Sequence, residues 1–430
     1  MTEILNLDIE ETLSKSVTFT MSRGGRELFH TNFIAFILES DSVQLQLIKQ
    51  NIIRLLFEGC AEVPTKVIAL REKSNLDLII IPYNETFNPP KDIVIIEAKL
   101  KALPSIQQLE SYNKKLERLT IIDGCSKSEV SENAIDKMAI KTDSDGKLQL
   151  TTSHKDKSTK TTIKLHKFLL APKSMMSKGK VEQVDWKVLE WEKLLENIKT
   201  GLGEINSDSD LLIQVVNDYV HSTKSLLALV ESTINFSAKF INNDINFEKF
   251  YKEIQKSQLI RKLRLHDLVG KVAYDNLLNR LVNNIEFKEV SGFKLQSRTF
   301  YSRATPGIMI YFEKTFDGNR IEVGIQIQGN DYRHFFSQSS AGKLHLASLI
   351  KTNLYKWMTA QNNKGKRQKI DSSSEEFKVY DKDKFVYLSH PLDNVMEFNA
   401  LEDAVVRSLN QLDEMLNQDD DITDKLINRN

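Results

Sequence analysis

Glu97 and Lys99 stand two residues apart near the end of an apolar run, KDIVIIEAKL, and Asp77 lies near the start of the preceding one, NLDLIIIPY. In an extended strand successive side chains alternate across the pleat, so Ile93, Ile95, Glu97 and Lys99 share one face while Val94, Ile96 and Ala98 share the other. An acid and a base at the end of an otherwise buried strand are costly unless a metal or a partner charge compensates them. Phosphodiester hydrolysis at neutral pH calls for such a group. A hard divalent cation lowers the pKa of water and offsets the phosphate charge, and Mg2+ is held by one or two carboxylates with water and substrate oxygens completing its shell. Asp77 and Glu97 suit the carboxylate role, and Lys99 suits orienting water or stabilising developing negative charge. For an ExK spacing alone, the competing reading is an ordinary Glu–Lys pair at a strand end.

Other residues fall near these in type or spacing. Glu27, His30 and Thr31 lie at i, i+3 and i+4 and share the polar end of an apolar helix, where a lone histidine reads as a hydrogen-bonded core residue in preference to a ligand. Gln108 has two readings: it completes a capping box with Ser105, or it reaches the site from the helix that follows the second run. Tyr112 and Lys115 then face the same groove, or solvent. No GxxxxGK[ST] stretch occurs, so nucleoside triphosphate hydrolysis is not supported.

The elements that position these residues are legible in outline. A short amphipathic segment and a loop with Gly24 and Gly25 precede a buried helix over residues 26–39, and a second helix covers about 43–57 with Gly59 as its stop. Strands are expected at 67–71, 76–83 and 93–100 as a meander, followed by a helix whose apolar stripe is Ile106, Leu109, Leu116 and Leu119. Residues 123–163, rich in Ser, Thr, Lys and Asp around Asp145-Gly146, read as an inserted hairpin or loop. KLHKFLLA at 164–171 is a further core strand, and Asp185 caps a helix through Ile198 that Gly201 closes. Helices are expected over 211–232, 247–256 and 259–285. A hairpin of 307–316 and 320–328 follows, then a helix near 347–358, a strand at 384–388 and a helix at 401–416. The basic loop KGKRQK at 364–369 reads as solvated or as a phosphate-backbone contact, and Tyr301, Tyr311, Phe312 and Phe316 of the hairpin as core or as base-stacking groups.

Composition narrows the class. The chain has 430 residues, 40% hydrophobic and 27% charged, with 59 basic and 59 acidic side chains, so no global basic footprint for nucleic acid exists. Cys60 and Cys125 form neither a CxxC pattern nor a cluster with histidines, which suggests no disulfide framework and no structural zinc. The acidic N-terminus and the lack of a long apolar run give a soluble, cytoplasmic protein as the expectation.

The combination of ELFHTNFIAFIL, NLDLIII, VIIEAKL, QLESY, LHKFLLAP and VDWKVLEWEKLL, in that order, resembles the PD-(D/E)XK nuclease superfamily. Within it, the chain is most similar to a bacterial family that opens with an acidic residue in an apolar helix. The likeness covers about residues 25–235; Leu76 stands where the superfamily name places proline, and the insertion after Leu119 and everything beyond Ser232 lie outside it. It implies an α/β fold of the restriction-endonuclease-like kind, with a mixed central sheet flanked by helices. The nuclease core would be residues 1–204 with the insertion at about 123–163, followed by a helical region at 205–285 and a C-terminal α+β domain at 286–430. It also implies a Mg2+-dependent nuclease, with Mn2+ as a substitute. Asp77, Glu97 and Glu27 would lie at the metal, Lys99 would be the catalytic lysine, and Gln108 would be contributed by the following helix. DNA is the expected substrate, and a host-defence (anti-phage) or DNA-processing effector the expected setting, with a homo-oligomer or partner protein engaged through the C-terminal half. An RNA-cleaving enzyme and an inactive nuclease-fold scaffold are the alternatives.

Overall fold

The computed structural model describes residues 7–22, 27–59, 63–73, 75–83, 90–101, 106–123, 137–154, 157–175, 181–203, 210–240, 244–245, 261, 263, 265–283, 285, 289–302, 305–316, 319–329, 331–338, 353–358, 378–380, 385–392 and 396–418. Cys60, Cys125, Ser105, the Gly24–Gly25 loop, the helix expected over 247–256 and the KGKRQK loop lie outside them. The fold is mixed α/β, and the chain divides into two compact units, Met1–Ser232 and Thr233–Asn430.

The first unit opens with helices α1 (Leu7–Lys15), α2 (Val17–Met21), α3 (Glu27–Glu39) and α4 (Gln46–Leu56). Strands β1 (Lys66–Lys73), β2 (Leu76–Tyr83) and β3 (Asp92–Ala98) follow as the expected antiparallel meander. After α5 (Ile106–Leu116) come β4 (Arg118–Asp123), β5 (Lys137–Thr142), β6 (Leu148–His154) and β7 (Lys157–Thr162), then β8 (Lys164–Ala171), β9 (Lys187–Glu190), α6 (Trp191–Gly203) and α7 (Leu211–Phe240). The central sheet has the order β1-β2-β3-β8-β9, and β8 runs parallel to both β3 and β9, so the sheet is mixed. β3 is its middle strand. Residues Ile93–Ala98 are all buried, Glu97 among them, because the strand is covered on both faces.

One face of the sheet carries Ile79, Ile81, Ile93, Ile95 and Leu169, packed beneath Leu109, Tyr112 and Leu116 of α5. Helices α3, α4 and α6 supply the buried Ile34, Leu38, Ile48, Ile52, Leu195 and Ile198. Gly201 does not close α6 but lies within it, where a Cβ would stand 2.8 Å from Ile48 Cγ1; its role is the close crossing of α6 over α4. Asp185 does not cap that helix either. It adopts a left-handed turn (φ 60), and residues 187–190 extend to pair with β8, so the helix begins only at Trp191.

The segment after α5 is larger than a hairpin, forming a four-stranded antiparallel sheet β4-β5-β6-β7. Asp145-Gly146 joins β5 to β6 as expected, with Gly146 at φ 76. Leu119 belongs to β4 and not to α5, because the Glu117 carbonyl accepts the Thr142 N–H at 3.0 Å and the chain leaves the helix there.

In the second unit β10 (Asp244–Ile245) is followed by α8 (Leu265–Val282), β11 (Glu289–Val290), β12 (Phe293–Ser302), β13 (Thr305–Phe316), β14 (Asn319–Gln328) and β15 (Asp331–Gln338). The remaining elements are α9 (Asn353–Met358), β16 (Lys378–Tyr380), β17 (Phe385–Pro391), β18 (Met396–Glu397) and α10 (Phe398–Gln418). An antiparallel sheet of order β11-β12-β13-β14-β15-β17-β16 dominates it. Ile321, Val323, Ile325 and Ile327 are all buried, as their alternation requires, and Tyr311 and Phe312 are buried on opposite faces of β13. Among the described residues no helix is long and apolar enough to cross a membrane.

Candidate active site

The ladder between β2 and β3 runs from Ile80–Val94 to Leu78–Ile96 and stops. Asp77, one residue beyond, turns its carboxylate onto the main chain, where Oδ2 accepts the N–H of Ala98 at 2.8 Å. Glu97 lies opposite Leu169 of β8 and is 1% exposed. Both carboxylates therefore stand where β2 and β3 part.

Lys99 follows the last residue of β3. Its ammonium is 2.7 Å from Glu97 Oε1 and 3.8 Å from Glu27 Oε2, and its side chain is 12% exposed. Glu27 heads α3 and also accepts the Leu100 N–H on Oε1 at 3.0 Å, tying the start of that helix to the end of β3. The Lys99 main chain is held on both sides: its N–H donates to Leu170 O at 2.7 Å and its carbonyl accepts the indole N–H of Trp191 at 3.0 Å.

Helix α5 closes the site on the face of β3 that carries Glu97. Gln108 and Tyr112 lie one turn apart, and Gln108 Nε2 donates to Glu97 Oε1 at 3.0 Å and to the Tyr112 hydroxyl at 2.6 Å. The Tyr112 hydroxyl donates in turn to Glu97 Oε1 at 3.3 Å. One turn of α5 thus grips a single carboxylate oxygen. The helix is anchored by Asn113, whose Nδ2 donates to Val184 O at 2.8 Å and whose Oδ1 accepts from Trp186 Nε1 and Lys167 Nζ at 3.0 Å each.

The electrostatics follow from burial among like and unlike charges. Burial, with the Asp77 charge adding to it, pushes the Glu97 carboxyl up to about 7 against the opposing pull of Lys99. Burial likewise raises Asp77, opposed by the Ala98 N–H and Lys99. For Lys99 burial acts downward, but Glu27 and Glu97 outweigh it and hold the ammonium above its ordinary range. Tyr112 is raised by burial.

Asp77, Glu97, Lys99, Glu27 and Gln108, spread over more than 80 residues of sequence, converge on one end of the central sheet. His30 does not join them: it is buried, its Nδ1 lies 3.2 Å from the Tyr219 hydroxyl, and burial followed by the Lys101 charge pulls its pKa down to about 3, leaving it neutral. Thr31 bonds back to the Leu28 carbonyl of its own helix. Lys115 lies over the Tyr112 ring at 5.2 Å. Trp191 lies in VDWKVLEWEKLL, one of the stretches that carry the resemblance, but nothing in that stretch points to Lys99, 92 residues away, whereas Tyr112 was signalled by its i+4 spacing from Gln108.

Among the described residues no group of three His, Cys, Asp or Glu side chains is arranged to hold a metal ion. Mg2+ requires fewer protein donors, one or two carboxylates with water filling the other positions. The observation that fits such an ion is Glu97 Oε2, which is buried and has no hydrogen-bond partner while Oε1 has three donors around it. Comparisons with protein-family models, with curated proteins and with solved structures returned no match.

Proposed function

We propose that this chain is a Mg2+-dependent nuclease with a restriction-endonuclease-like core, hydrolysing phosphodiester bonds in DNA. The observation that carries the reading is the convergence of Asp77, Glu97 and Lys99 where β2 and β3 separate, with the buried Glu97 Oε2 left without a partner. Asp77 and Glu97 would hold the cation, which when bound lowers the pKa of water and offsets the phosphate charge.

The remaining chemistry belongs to the side chains. Gln108 and Tyr112 fix the rotamer of Glu97 through Oε1 and leave Oε2 for a ligand. The Ala98 N–H orients Asp77 in the same way. Lys99 stays protonated between Glu97 and Glu27 and is a fixed positive group beside the place where a phosphate would stand, suited to stabilising charge that develops on its oxygens. Glu27 limits the reach of Lys99 by holding the Leu100 N–H and facing the ammonium.

The test is incubation with supercoiled plasmid, linear and single-stranded DNA and RNA, in Mg2+, Mn2+ or EDTA, beside Asp77→Ala and Lys99→Ala. Metal-dependent cleavage lost in both variants is the expected outcome. Cleavage that survives both substitutions overturns the mechanism, and preference for RNA moves the substrate to the alternative.

A further inference from the structure

We propose that Trp191 is a positioning residue for Lys99, acting through its indole N–H; this rests on the nuclease reading above. Pairing of β3 with β2 ends at Ile96 and its register with β8 at Ala98, so the sheet no longer fixes the full main chain at Lys99. Three contacts from three elements take over. Leu170 O of β8 holds the Lys99 N–H, Trp191 Nε1 of α6 holds the Lys99 carbonyl, and Glu27 Oε1 of α3 holds the Leu100 N–H. Of these, Glu27 and Leu170 act on N–H groups; the indole is the donor that the Lys99 carbonyl receives.

The indole is itself fixed in place. Trp191 follows β9 directly and begins α6, so the parallel register Ala171–Glu190 sets where its side chain enters. The ring is fully buried, and His30 meets it edge-on with centroids 5.5 Å apart, backed by the His30–Tyr219 contact. An N–H held this rigidly pins the backbone of the residue whose ammonium must stand between Glu97 and Glu27. Displacement of a charged group by about 1 Å costs on the order of 100-fold in rate.

A matched comparison lies in the second unit. Trp357 is also buried, and its Nε1 donates to the Ser408 carbonyl at 2.9 Å. Trp191→Phe and Trp357→Phe delete the same type of bond, an indole N–H on a main-chain carbonyl, and only the first touches Lys99.

The experiment measures melting temperature, kcat and KM for plasmid cleavage in Mg2+ by the full-length wild type and both variants. Both variants are expected to lose similar stability, while Trp191→Phe alone loses kcat by about tenfold or more with KM within about twofold, the pattern of an interaction used in the transition state. Equal kcat in Trp191→Phe and wild type, or an equal fall in both variants, overturns the proposal. If Trp191→Phe does not fold, replacing Trp191 with β-(benzothien-3-yl)alanine, which keeps the bicyclic shape and puts sulfur in place of N–H, is expected to give the same loss of kcat, and full activity overturns it. A wild type that cleaves no substrate overturns the nuclease reading and the positioning role with it.

Discussion

The Lys99 ammonium donates to one oxygen of the Glu97 carboxylate at 2.7 Å, and the other oxygen is buried with no donor on it. A cation binding that carboxylate meets the positive charge of Lys99 in the same small space, and the two repel. Lys99→Met keeps most of the bulk and removes the charge. It is therefore expected to bind Mn2+ more tightly than wild type, by about tenfold, while losing cleavage. Electron paramagnetic resonance titration of free Mn2+ measures this directly, and weaker binding by the variant contradicts it.

Glu97 must be ionised to ligate a cation, and burial holds its pKa up at about 7. Affinity for Mn2+ should thus rise with pH through neutrality and level off above it, with about one proton released per ion at pH 6. Calorimetry in buffers of differing ionisation enthalpy counts that proton. The stability effect has the opposite sign. The folded state keeps this proton to higher pH than the unfolded chain does, so the contribution of Glu97 to stability falls as pH rises from 4.5 toward 7, and the stability of wild type relative to Glu97→Gln should decline over that range.

His30 contributes in the acid range. Its folded pKa of about 3 lies below the ordinary 6.5, chiefly through burial, so the unfolded chain binds the proton first and stability is lost as pH falls from 6.5 toward 3. The difference in urea midpoint between wild type and His30→Gln, measured at several pH values, should move against wild type as pH falls from 6.5 toward 3, which separates His30 from the opposite contribution of Glu97 over pH 4.5 to 6.5.

Asp77 and Tyr112 separate charge from structure. Asp77→Asn keeps an oxygen for the Ala98 N–H and removes the charge, so cleavage should fall by about 100-fold or more with little change in melting temperature, whereas Asp77→Ala should lower both. Tyr112→Phe removes one donor to Glu97 while Gln108 and Lys99 remain, and a smaller loss, on the order of tenfold, is expected in metal affinity.

The strands β2 and β3 were legible because they are buried on both faces and read as near-continuous apolar runs, β1 and β8 because each carries a shorter apolar stretch, Val67–Leu70 and Phe168–Ala171, and Asp77, Glu97 and Lys99 were legible because they interrupt or end the apolar runs of β2 and β3. The sheet β4–β7 was not, since only a few apolar side chains, Leu119, Met138, Ile140 and Leu150 with Leu148 beside them, enter the core and most other positions are polar or charged. Asp185 and Gly201 carry helix-boundary chemistry, yet a four-residue strand and a close helix crossing decide their places. Nothing local encodes the reach of Trp191 to Lys99, which depends on β9 pairing with β8.

The four-stranded sheet β4–β7 begins two residues after α5 and ends two residues before β8. Its inward row shares a core with Leu109, Tyr112 and Leu116, on the helix that grips Glu97. Excision would strip that helix of its cover and loosen the carboxylate beneath. Leu119, Ile140 and Leu150 are thereby tied to the proposed catalytic geometry: a change of volume in any of them is felt by the α5 residues they cover.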